Sequence, residues 1–424
     1  YLFDENKDRD IEAIKEKTGD SELVQIELGE LGEDALSSSQ LMVISPGIPV
    51  DAPFTDVVRN AGIPIWSEIE LAYHYGKGKI AAITGTNGKT TTTALVGEIV
   101  KAHNAKTIVV GNIGIPYTEL CDTTDDDSDT VAEISSFQLE TVIDFHPNVS
   151  AILNLTPDHL NRHYTFENYG NVKFSITKNQ TMDDVTVLNY DDEHTRAMGE
   201  KAKDHCHVVY FSRLEKPAGG VYVEDGDIIL EDGDKKINVL AIKDLKLMGA
   251  HNVENVLAAV GISYYMGVPV DVIRDVATSF KAVAHRIEYV DTIDGVAYYN
   301  DSKGTNPDAA IKGIQAMVAP TFLIGGGYDK GSEYDEWIEA FDGKVKWLVL
   351  IGQTAQKIAD CAKRHGFNSI IFEENLQDAV AYCHENAVDG DAVLLSPACA
   401  SWGQFDNYEQ RGDMFKKYVR SYKE

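Results

Sequence analysis

Cysteine and long apolar runs are both scarce in this chain. Only five of its 424 residues are cysteines, and they are scattered without a C-x-x-C pair, so we expect neither a disulfide framework nor a zinc site. No apolar run approaches the roughly 20 residues that a membrane-spanning helix needs, and no secretory signal is visible. These absences predict a cytoplasmic protein with reduced thiols.

Positive charge is the other scarcity. The chain has 38 lysines and arginines against 68 aspartates and glutamates, which gives a formal net charge of −30. No local basic patch is visible, so binding to nucleic acid or to an anionic membrane is not expected. If so acidic a protein binds polyphosphate, it must gather its few cations at the binding site.

Strand and helix patterns alternate along the chain, which predicts an α/β fold with mostly parallel sheets covered on both faces. The length suggests about three domains, which we place at residues 1–78, 79–283 and 284–424. The third domain reads as doubly wound and Rossmann-like. Turn signals at residues 224–226 and 231–233 predict antiparallel hairpins within the central domain.

The individual elements are predicted from short buried runs for strands and longer periodic runs for helices. Strands are predicted at residues 41–44, 80–83, 107–110, 130–134, 151–155, 321–324, 345–351, 369–372 and 392–395. Helices are predicted at residues 9–18, 89–102, 251–266 and 270–280, with a further helix that begins at Phe166.

The strongest motif is TGTNGKTTTT, which follows a predicted strand and opens a predicted helix. Glycines let backbone N–H groups approach phosphate oxygens, and the helix N-terminus favours an anion. Lys89 can bridge the β- and γ-phosphates of ATP, and the Thr90 hydroxyl can hold Mg²⁺. The residues expected to bind ATP here are Gly85, Thr86, Asn87, Gly88, Lys89, Thr90 and Thr91.

A glycine-rich turn that merely caps a helix is the alternative interpretation. The general phosphate-loop pattern has a glycine where this chain has Ile83. However, four consecutive threonines are poor helix formers, so the run needs a reason other than helix stability. The phosphate loop supplies that reason.

The same loop resembles the glycine loop of the Mur ligase superfamily, where G-T-N-G-K-T replaces the general form. Three further segments resemble the D-glutamate-adding members of that superfamily. They are AEISSFQLE (Ala132 to Glu140), NDSKGTNPDAA (Asn300 to Ala310) and SPACASWGQFDNYEQRG (Ser396 to Gly412). Three long matches in the expected order make the resemblance much more specific than any single motif.

The resemblance implies an ATP-dependent amide-bond ligase of bacterial peptidoglycan synthesis, and hence a role in cell shape and division. It would join D-glutamate to UDP-N-acetylmuramoyl-L-alanine through an acyl phosphate. A Rossmann-like N-terminal domain would bind UDP. A P-loop ATPase-like central domain would bind ATP and Mg²⁺, and the C-terminal domain would bind the amino acid. The family's first strand and UDP-binding glycine loop would precede Tyr1, so we expect the N-terminal domain to be truncated here. We expect a monomer.

Four residues are implied to be catalytic: Lys89, Glu133, His159 and Lys173. By resemblance, Thr90 and Glu133 bind one Mg²⁺, His159 binds a second, and Lys173 becomes a metal ligand after carbamylation by carbon dioxide. That modification requires a lysine with a lowered pKa, which desolvation can provide. On the residues alone, an exposed acid, a polar surface histidine and an exposed lysine remain alternatives. Lys178 is the rival of Lys173.

The remaining contacts are implied by the same resemblance. ATP would also contact Asn252, Asn255, Arg286 and Asp301. The nucleotide sugar and D-glutamate would contact Gly47, Asn112, Ser135, Gln138, Lys303, Thr305, Lys330, Ser401 and Tyr408, and Asp4 matches an acidic residue near the uracil. A plain Asn-Gly turn is the alternative for Asn112, and an N-cap is the alternative for Asn252. Trp402 and Gly403 depart from the commoner residues of their motif.

Three other features have simpler interpretations. The acidic run Asp125 to Asp129 is expected to be a solvated loop, because it lacks the spacing of a calcium loop. The glycines Gly325 to Gly327 could form a second nucleotide loop, but they lack a dinucleotide fingerprint. Cys399 could be a nucleophile, but a buried structural thiol is favoured because no basic residue adjoins it.

Other functions make different predictions. A sister ligase would use L-alanine or meso-diaminopimelate, and a folylpolyglutamate synthase would use folate. A P-loop motor or switch would hydrolyse ATP without an amino acid, and the motifs of the third domain would then have no role. A silent nucleotide-binding protein would bind without turnover, and the joint presence of Lys89, Glu133, His159 and Lys173 would be unexplained.

Overall fold

The computed structural model describes residues 1–19, 21–112, 114–247, 249–281, 284–329 and 331–423. The chain divides into two compact units, Tyr1–Phe280 and Lys281–Glu424. The predicted boundary between residues 78 and 79 lies inside the first unit, and residues 282 and 283 beside the second boundary lie outside the described residues. Both boundaries therefore remain predictions.

The first unit begins with two small parallel sheets, one pairing β1 with β2 and the other β3 with β4. The strands are β1 Leu2–Asp4, β2 Ile26–Leu28, β3 Met42–Ile44 and β4 Ile65–Ser67. The helices are α1 Ile11–Lys17, α2 Glu33–Ser38, α3 Pro53–Asn60 and α4 Glu68–Tyr75. The predicted strand at residues 41–44 and helix at 9–18 are confirmed, each slightly shorter than expected.

Helix α4 is bound to the chain that follows it by one buried carboxylate. Ser67 caps the helix, since its hydroxyl accepts the N–H of Glu70 at 3.2 Å. The fully buried Glu70 carboxylate accepts three backbone N–H groups, from residues 143, 144 and 145, at 2.9, 2.7 and 3.1 Å. Charge-assisted bonds of this kind compensate the burial of a carboxylate, so α4 is fixed against the central sheet.

The central part of the first unit contains nine strands and eight α-helices among the described residues. The strands are β5 Lys79–Thr84, β6 Thr107–Gly111, β7 Asp129–Glu133, β8 Val149–Ile152, β9 Val185–Asn189, β10 His207–Ser212, β11 Gly220–Glu224, β12 Asp227–Asp232 and β13 Lys235–Ala241. The helices are α5 Lys89–His103, α6 Tyr117–Leu120, α7 Ser136–Leu139, α8 Leu160–His163, α9 Phe166–Phe174, α10 Glu193–Ala202, α11 Ala250–Tyr265 and α12 Val270–Ser279.

These nine strands form one sheet in the order β13-β12-β11-β10-β9-β8-β5-β7-β6. All pairs from β6 to β11 are parallel, and only the β11–β12 and β12–β13 pairs are antiparallel. The mostly parallel sheet and the two hairpins are thus confirmed. Every residue of β7 is buried, as is expected for a central strand covered by helices on both faces.

Helix α5 lies close to the sheet because of one glycine. A Cβ at Gly97 would lie 2.6 Å from Cγ2 of Val109, a distance that real Cβ atoms do not adopt. The buried threonines of its first turns, together with Leu95 and Val96, face the protein interior. The apolar helix α11 packs beside α5, so a helix rich in β-branched residues is stabilised by packing rather than by propensity.

The second unit is a six-stranded sheet in the order β14-β15-β19-β16-β17-β18. Its strands are β14 Glu288–Ile293, β15 Val296–Asn300, β16 Thr321–Gly325, β17 Val345–Leu350, β18 Ile370–Phe372 and β19 Ala392–Leu395. Its helices are α13 Pro307–Ala316, α14 Asp335–Glu339, α15 Ala355–Arg364, α16 Leu376–Asn386 and α17 Tyr408–Arg420. Separate apolar clusters pack on each face of this sheet, which confirms the predicted doubly wound arrangement.

The antiparallel hairpin of β14 and β15 is missing from the predicted strands. Its turn contains Asp294 and Gly295, with φ angles of 50° and 80°. An Asp-Gly pair between apolar residues is a strong hairpin signal, so the sequence did contain the information.

Two predictions about bulk properties can be compared with the structure. Across the described part of the chain, every helix is too short or too polar to traverse a bilayer. The five cysteines are all buried and none is disulfide-bonded, in agreement with the expected reduced thiols.

Candidate active site

The carboxyl ends of four adjacent parallel strands, β8, β5, β7 and β6, meet at one edge of the nine-stranded sheet. In open α/β sheets, ligands bind at this edge because loops and helix N-termini converge there. The loops that follow these strands contain most of the site residues predicted for the central domain. The loop after β5 is the predicted phosphate loop, and it leads directly into α5.

The phosphate loop has the backbone that its glycines predict. Gly85 and Gly88 have φ angles of 144° and 84°, which L-residues rarely adopt. A Cβ at Gly88 would lie 2.3 Å from Oδ1 of Asn255. The loop is fixed from the other side by Asn154, whose carbonyl and side-chain oxygens accept the N–H groups of residues 86 and 87 at 3.0 and 2.8 Å.

Two lysines converge on the first residue of this loop. Lys89 Nζ donates to the carbonyls of Gly85 and Thr86, both at 2.9 Å. Lys173 Nζ donates to the same Gly85 carbonyl at 2.9 Å and lies near the Thr84 hydroxyl at 3.3 Å. Thr90 lies one residue beyond Lys89, in the first turn of α5, and is buried.

Lys173 is almost completely buried, on helix α9 as predicted. Burial lowers its pKa well below the usual value of a lysine, and the nearby charge of Lys89 lowers it further. Asp158 and Glu133 oppose the shift, so both carboxylates lie within electrostatic reach of the amine. The aromatic ring of Tyr169 lies 4.8 Å from Nζ. An amine in this environment can exist as the neutral nucleophile that carbamylation requires.

Glu133 ends strand β7, as expected, but it is buried rather than exposed. Its Oε1 accepts the side-chain amide of Asn112 at 3.1 Å, and its carbonyl accepts the Asn112 N–H at 2.8 Å. Asn112 is therefore bound to Glu133 through both its side chain and its backbone, which a plain turn does not require. The structure brings the predicted metal ligand and a predicted substrate contact together.

Ser135 and Gln138 form a capping box at the start of α7. Oε1 of Gln138 accepts from the backbone N–H and the hydroxyl of Ser135 at 2.7 and 2.9 Å. Nε2 of Gln138 donates to Glu68 at 2.6 Å, across 70 residues of chain. Burial raises the pKa of Glu68. Both predicted substrate residues are thus held in position by a residue of the N-terminal region.

His159 lies in the loop between β8 and α8, with a φ angle of 52°. Its ring lies 4.9 Å from that of Phe137, and its backbone N–H donates to Asp158. The side chain is 45% exposed, so it is open to solvent. Unlike Lys173, it has polar and aromatic neighbours rather than a buried hydrogen-bond network.

Four predicted residues of the first unit lie near helix starts or strand ends. Asn252 lies within α11, whose N-cap is Gly249, so the alternative that Asn252 caps the helix is wrong. Asn255 is buried and donates to Oδ1 of Asn252 at 3.1 Å. Gly47 lies in the loop after β3, and Asp4 ends β1 as expected.

In the second unit, the loops after β15, β19 and β16 are neighbours, since these strands are adjacent in the sheet. They contain the predicted residues Asp301, Lys303, Thr305 and Ser401. Lys303 Nζ lies 5.8 Å from the ring centre of Tyr408, at the start of α17. Thr305 donates its N–H to the Lys303 carbonyl, and Ser401 is buried. The predicted residue Lys330 lies outside the described residues.

Asp301 is buried, and burial raises its pKa to about 7. Its Oδ2 accepts the hydroxyl of Ser396 at 2.7 Å, and Oδ1 accepts the N–H of Ile287 at 3.3 Å. Arg286 favours the charged carboxylate. Arg286 itself is flanked by two residues with positive φ, His285 at 64° and Ile287 at 46°. Such backbone persists only where surrounding contacts hold it.

Arg411 is a functional candidate that the predictions do not include. This 1% exposed side chain donates to the hydroxyl and carbonyl of Ser302 at 2.9 and 2.8 Å, and to the Cys399 carbonyl at 3.1 Å. It joins the two loops that contain the predicted D-glutamate residues. Its place in the SPACASWGQFDNYEQRG segment, three positions after Tyr408, is a sequence signal, but its burial is not visible in the sequence.

The three features with simpler interpretations are explained by the structure. Lys106 pairs with Asp125 and Asp127 of the acidic run, at 2.6 and 3.4 Å. The expected solvated loop ends before Ser128, since Ser128 is buried and Asp129 begins the buried strand β7. Cβ atoms at Gly326 and Gly327 would lie 2.2 and 2.4 Å from the carbonyls of residues 351 and 400, so these glycines permit close backbone packing. Cys399 is buried, and burial raises the pKa of its thiol, so it is not an activated nucleophile.

Comparisons with known proteins match most of the chain. The Mur ligase middle domain family matches residues 83–263, and the Mur ligase, glutamate ligase domain family matches residues 285–399. A UDP-N-acetylmuramoylalanine–D-glutamate ligase of Lachnospira eligens is 56% identical over 420 residues, covering 99% of this chain and 93% of the relative. The enzyme of the same name from Lachnoclostridium phytofermentans is 51% identical, covering 100% and 93%.

The chain belongs to the UDP-N-acetylmuramoylalanine–D-glutamate ligase family. The resemblance to Mur ligases is thereby confirmed, and so is the class of enzyme, a ligase that forms amide bonds. The MurF ligase of Thermotoga maritima, solved in complex with ADP, has a TM-score of 0.57 at 17% identity, covering 91% of this chain and 97% of that one. That likeness supports the fold alone.

Three residues that contact or influence the predicted site residues are absent from the sequence-based predictions. Asp158 affects the charge of Lys173, Tyr169 lies beneath its amine, and Glu68 holds Gln138. Only Asp158 had a local signal, since it directly precedes His159. The contact of Glu68 joins distant parts of the chain, and no local pattern reports it.

Proposed function

We propose that this chain catalyses the ATP-dependent addition of D-glutamate to UDP-N-acetylmuramoyl-L-alanine through an acyl phosphate, in peptidoglycan precursor synthesis. The observation that carries the proposal is the pair of lysines, Lys89 and Lys173, on the Gly85 carbonyl of the phosphate loop. A ligase that uses a modified lysine needs a buried amine of lowered pKa close to the lysine that binds phosphate. A simple nucleotide switch gives it no role.

The phosphate loop fits ATP. Its two glycines with positive φ leave the backbone without a Cβ, and α5, 15 residues long, directs its N-terminus at the loop. Lys89 would move from the loop carbonyls to the β- and γ-phosphates when the nucleotide binds. Asn252 and Asn255 would contact the adenine from α11, and Arg286 and Asp301 would contact the phosphates and the ribose.

Mg²⁺ also fits the residues present. Glu133 is a buried carboxylate with a neutral amide as its side-chain partner, and Thr90 offers a hydroxyl in the first turn of α5. Oxygen ligands of this kind are those that Mg²⁺ prefers. Glu133 and Thr90 would hold one ion, and His159 with a carbamylated Lys173 a second. The ions would neutralise the charge that develops on the transferring phosphoryl group.

Carbamylation of Lys173 is consistent with its environment. The neutral amine attacks carbon dioxide, a C–N bond forms, and one proton leaves to solvent. The product is an anion with two oxygen ligands, in place of a cation that would repel Mg²⁺. Burial disfavours the cation and so favours the neutral amine that reacts with carbon dioxide. The charge of the product would be compensated by Mg²⁺.

The reaction then follows in two steps. The alanyl carboxylate of the nucleotide sugar attacks the γ-phosphorus, and ADP leaves, which gives an acyl phosphate. The amine of D-glutamate attacks the acyl carbon, phosphate leaves, and the amine loses a proton. Lys89 stabilises the phosphoryl charge in the first step. Asn112, Ser135 and Gln138 would orient the nucleotide sugar, and Gly47 would contact its UDP part.

The second unit would supply the amino-acid site. Lys303 near Tyr408, with Thr305, Ser401 and Lys330, would hold the two carboxylates of D-glutamate. The adjacent loop ends and the buried Arg411 support this assignment. We place the reaction in the bacterial cytoplasm, and we propose that the N-terminal, central and C-terminal parts act as three domains of a monomer.

Phosphate release tests the proposal directly. We expect release to require UDP-N-acetylmuramoyl-L-alanine, ATP, Mg²⁺ and D-glutamate together. Replacing D-glutamate by L-alanine or meso-diaminopimelate should abolish it, and so should replacing the nucleotide sugar by folate. Equal release without any amino acid would instead identify an ATPase, and release with one of the substitutes would identify a different ligase.

A further inference from the structure

Arg162, whose side chain is largely buried, connects two segments of the first unit that have different proposed functions. Nη2 of Arg162 donates to the carbonyl of Ile48, in the Ser45–Pro49 loop after β3, at 2.6 Å. The same guanidinium binds Glu140, at the end of α7, through Nε at 3.1 and 3.2 Å and through Nη2 at 2.5 Å. A single planar group therefore connects the loop expected to contact UDP with the SSFQLE segment.

This ion pair is not an ordinary surface contact. The side chains of Arg162 and Glu140 are only 10% and 7% exposed. Burying two charges is unfavourable unless their hydrogen-bonding geometry is well satisfied, and the fork of an arginine can bind a carboxylate and a carbonyl at once. A lysine has one point charge and could not make both contacts from one fixed plane.

The same arginine is linked to His159 through an aromatic ring. The guanidinium carbon lies 4.9 Å from the ring centre of Phe137, and the ring of His159 lies 4.9 Å from the same ring. Phe137 thus contacts both residues. Arg162 also follows His159 by only three positions, within α8.

The backbone of this segment needs support. Helix α8 has four residues, and non-glycine residues with positive φ stand on both sides of it, His159 at 52° and Tyr164 at 65°. Such conformations are unfavourable for residues other than glycine, and they persist only when neighbouring contacts hold them. The contacts of Arg162, and the hydrogen bond from the Tyr164 hydroxyl to Asp51, provide those restraints from the N-terminal region.

We propose that Arg162 is a positioning residue that sets His159 relative to the Ser45–Pro49 loop. Binding of the nucleotide sugar and binding of Mg²⁺ at His159 then strengthen each other. The inference rests on the proposed function for the identity of both ligands. Because coupling between two sites is reciprocal, it can be measured from the side of the nucleotide sugar alone.

The test is calorimetric titration of UDP-N-acetylmuramoyl-L-alanine into the enzyme with ADP, in the presence and absence of Mg²⁺. We expect Mg²⁺ to tighten binding by about tenfold, a usual size for coupling within one protein. Arg162→Lys keeps the charge beside Glu140 but loses the fork, so we expect this tightening to disappear. Arg213→Lys is the matched control, since Arg213 pairs with Glu254 at 2.9 Å in the same unit and should keep it.

A second variant covers the case in which Arg162→Lys is too unstable to titrate. Phe137→Leu leaves the ion pair intact and removes the ring that contacts His159, so it should also abolish the tightening. Unchanged Mg²⁺ dependence in either folded variant would overturn the proposal. The titration measures binding and does not depend on turnover. If a separate assay showed that phosphate release does not require D-glutamate, the proposed function would be rejected. The titration would still show whether Arg162 couples the two binding sites.

Discussion

Two buried cations, one in each compact unit, respond to the same environment in different ways. Lys173 is buried beside the phosphate loop, and its pKa is well below the usual value. Arg411 is buried behind the proposed amino-acid site, and burial lowers its pKa only to about 10. Lys173 therefore gives up its proton more readily than an ordinary lysine, whereas Arg411 stays charged at neutral pH.

The chemistry of the two side chains explains why each is found where it is. A neutral lysine is a nucleophile that carbon dioxide can modify, so burial prepares Lys173 for a chemical change. A guanidinium keeps its charge and presents donors in a fixed plane, so Arg411 can bind the hydroxyl and carbonyls of two loops permanently. The first unit thus buries an amine that the proposed carbamylation would use, whereas the second buries a guanidinium that holds two loops together.

Replacing Lys173 should have the largest effect. We expect Lys173→Ala to lower kcat by about 100-fold or more, because a metal ligand is worth several kcal/mol of transition-state stabilisation. Added formate or acetate should restore part of the activity by occupying the space of the carbamate. Phosphate release measures both effects.

Two controls sharpen that result. Lys178→Ala should keep full activity, since among the described residues Lys178 Nζ donates to the Val142 carbonyl, at 3.4 Å, and not to the phosphate loop. Lys173→Arg fills the space with a permanent cation, so it should be inactive and beyond rescue. An active Lys173→Arg enzyme would remove carbamylation from the mechanism.

Arg411 should affect stability more than chemistry. Arg411→Ala leaves two buried carbonyls and one hydroxyl without their donor, which we expect to lower the free energy of unfolding by about 2–4 kcal/mol. Arg411→Lys should lie between this variant and wild type, since it keeps the charge without the fork. Urea unfolding of the whole chain measures the change.

The control for Arg411 lies on the same helix. Arg420 is exposed on α17, and Arg420→Ala should change the free energy of unfolding by no more than about 0.5 kcal/mol. If Arg411→Ala were equally mild, the loops would be held by other contacts. The contrast between a reactive Lys173 and a structural Arg411 would then have no support from the second unit.

The sequence predicted the local features of both units and few of their long-range ones. The parallel sheet follows from alternating strands and helices, and the phosphate loop from glycines placed before a helix. The burial of Lys173 could not be read in the same way, because its partners Thr84 and Gly85 lie nearly 90 positions earlier, at separations of 89 and 88. Likewise, Arg411 binds Ser302 from 109 positions away.

The missed hairpin of β14 and β15 has a different cause. Its Asp-Gly turn is a local signal, but β14 and β15 mix buried with partly exposed residues, so neither contains the short buried run from which strands are predicted. Contacts between residues far apart in the sequence leave no local pattern, so one sequence does not reveal them. The β14–β15 hairpin differs, because its turn signal lies within residues 293–296.

Asp301 is the anionic counterpart of these cations, and its effect should depend on pH. Its pKa is raised to about 7, against an unfolded value of ~3.9. Below the lower value the carboxyl is protonated in both states. Between the two values only the folded state keeps the proton, so the free energy of unfolding falls as pH rises toward 7, and the loss is complete above it.

Asp301→Asn removes this titration. We therefore expect the stability of the variant relative to wild type to rise by about 2–3 kcal/mol between pH 5 and pH 8. Urea unfolding at the two pH values measures the difference. A relative stability that is independent of pH would show that Asp301 is ionised throughout, paired with a cation such as Arg286.

The smallest expected effect concerns buried thiols, which are neutral in both units. Cys399 Sγ lies 3.2 Å from the hydroxyls of both Tyr334 and Thr354, whereas Cys206 Sγ donates to the Ala202 carbonyl at 3.5 Å. Cys399→Ala leaves two hydroxyls with a lost partner, so we expect it to destabilise the chain by about 1 kcal/mol more than Cys206→Ala. Burial raises the pKa of both thiols, so kcat should be unchanged in each variant. A loss of turnover in Cys399→Ala but not in Cys206→Ala would show that a buried group of the second unit takes part in the reaction, as is proposed for Lys173 in the first unit.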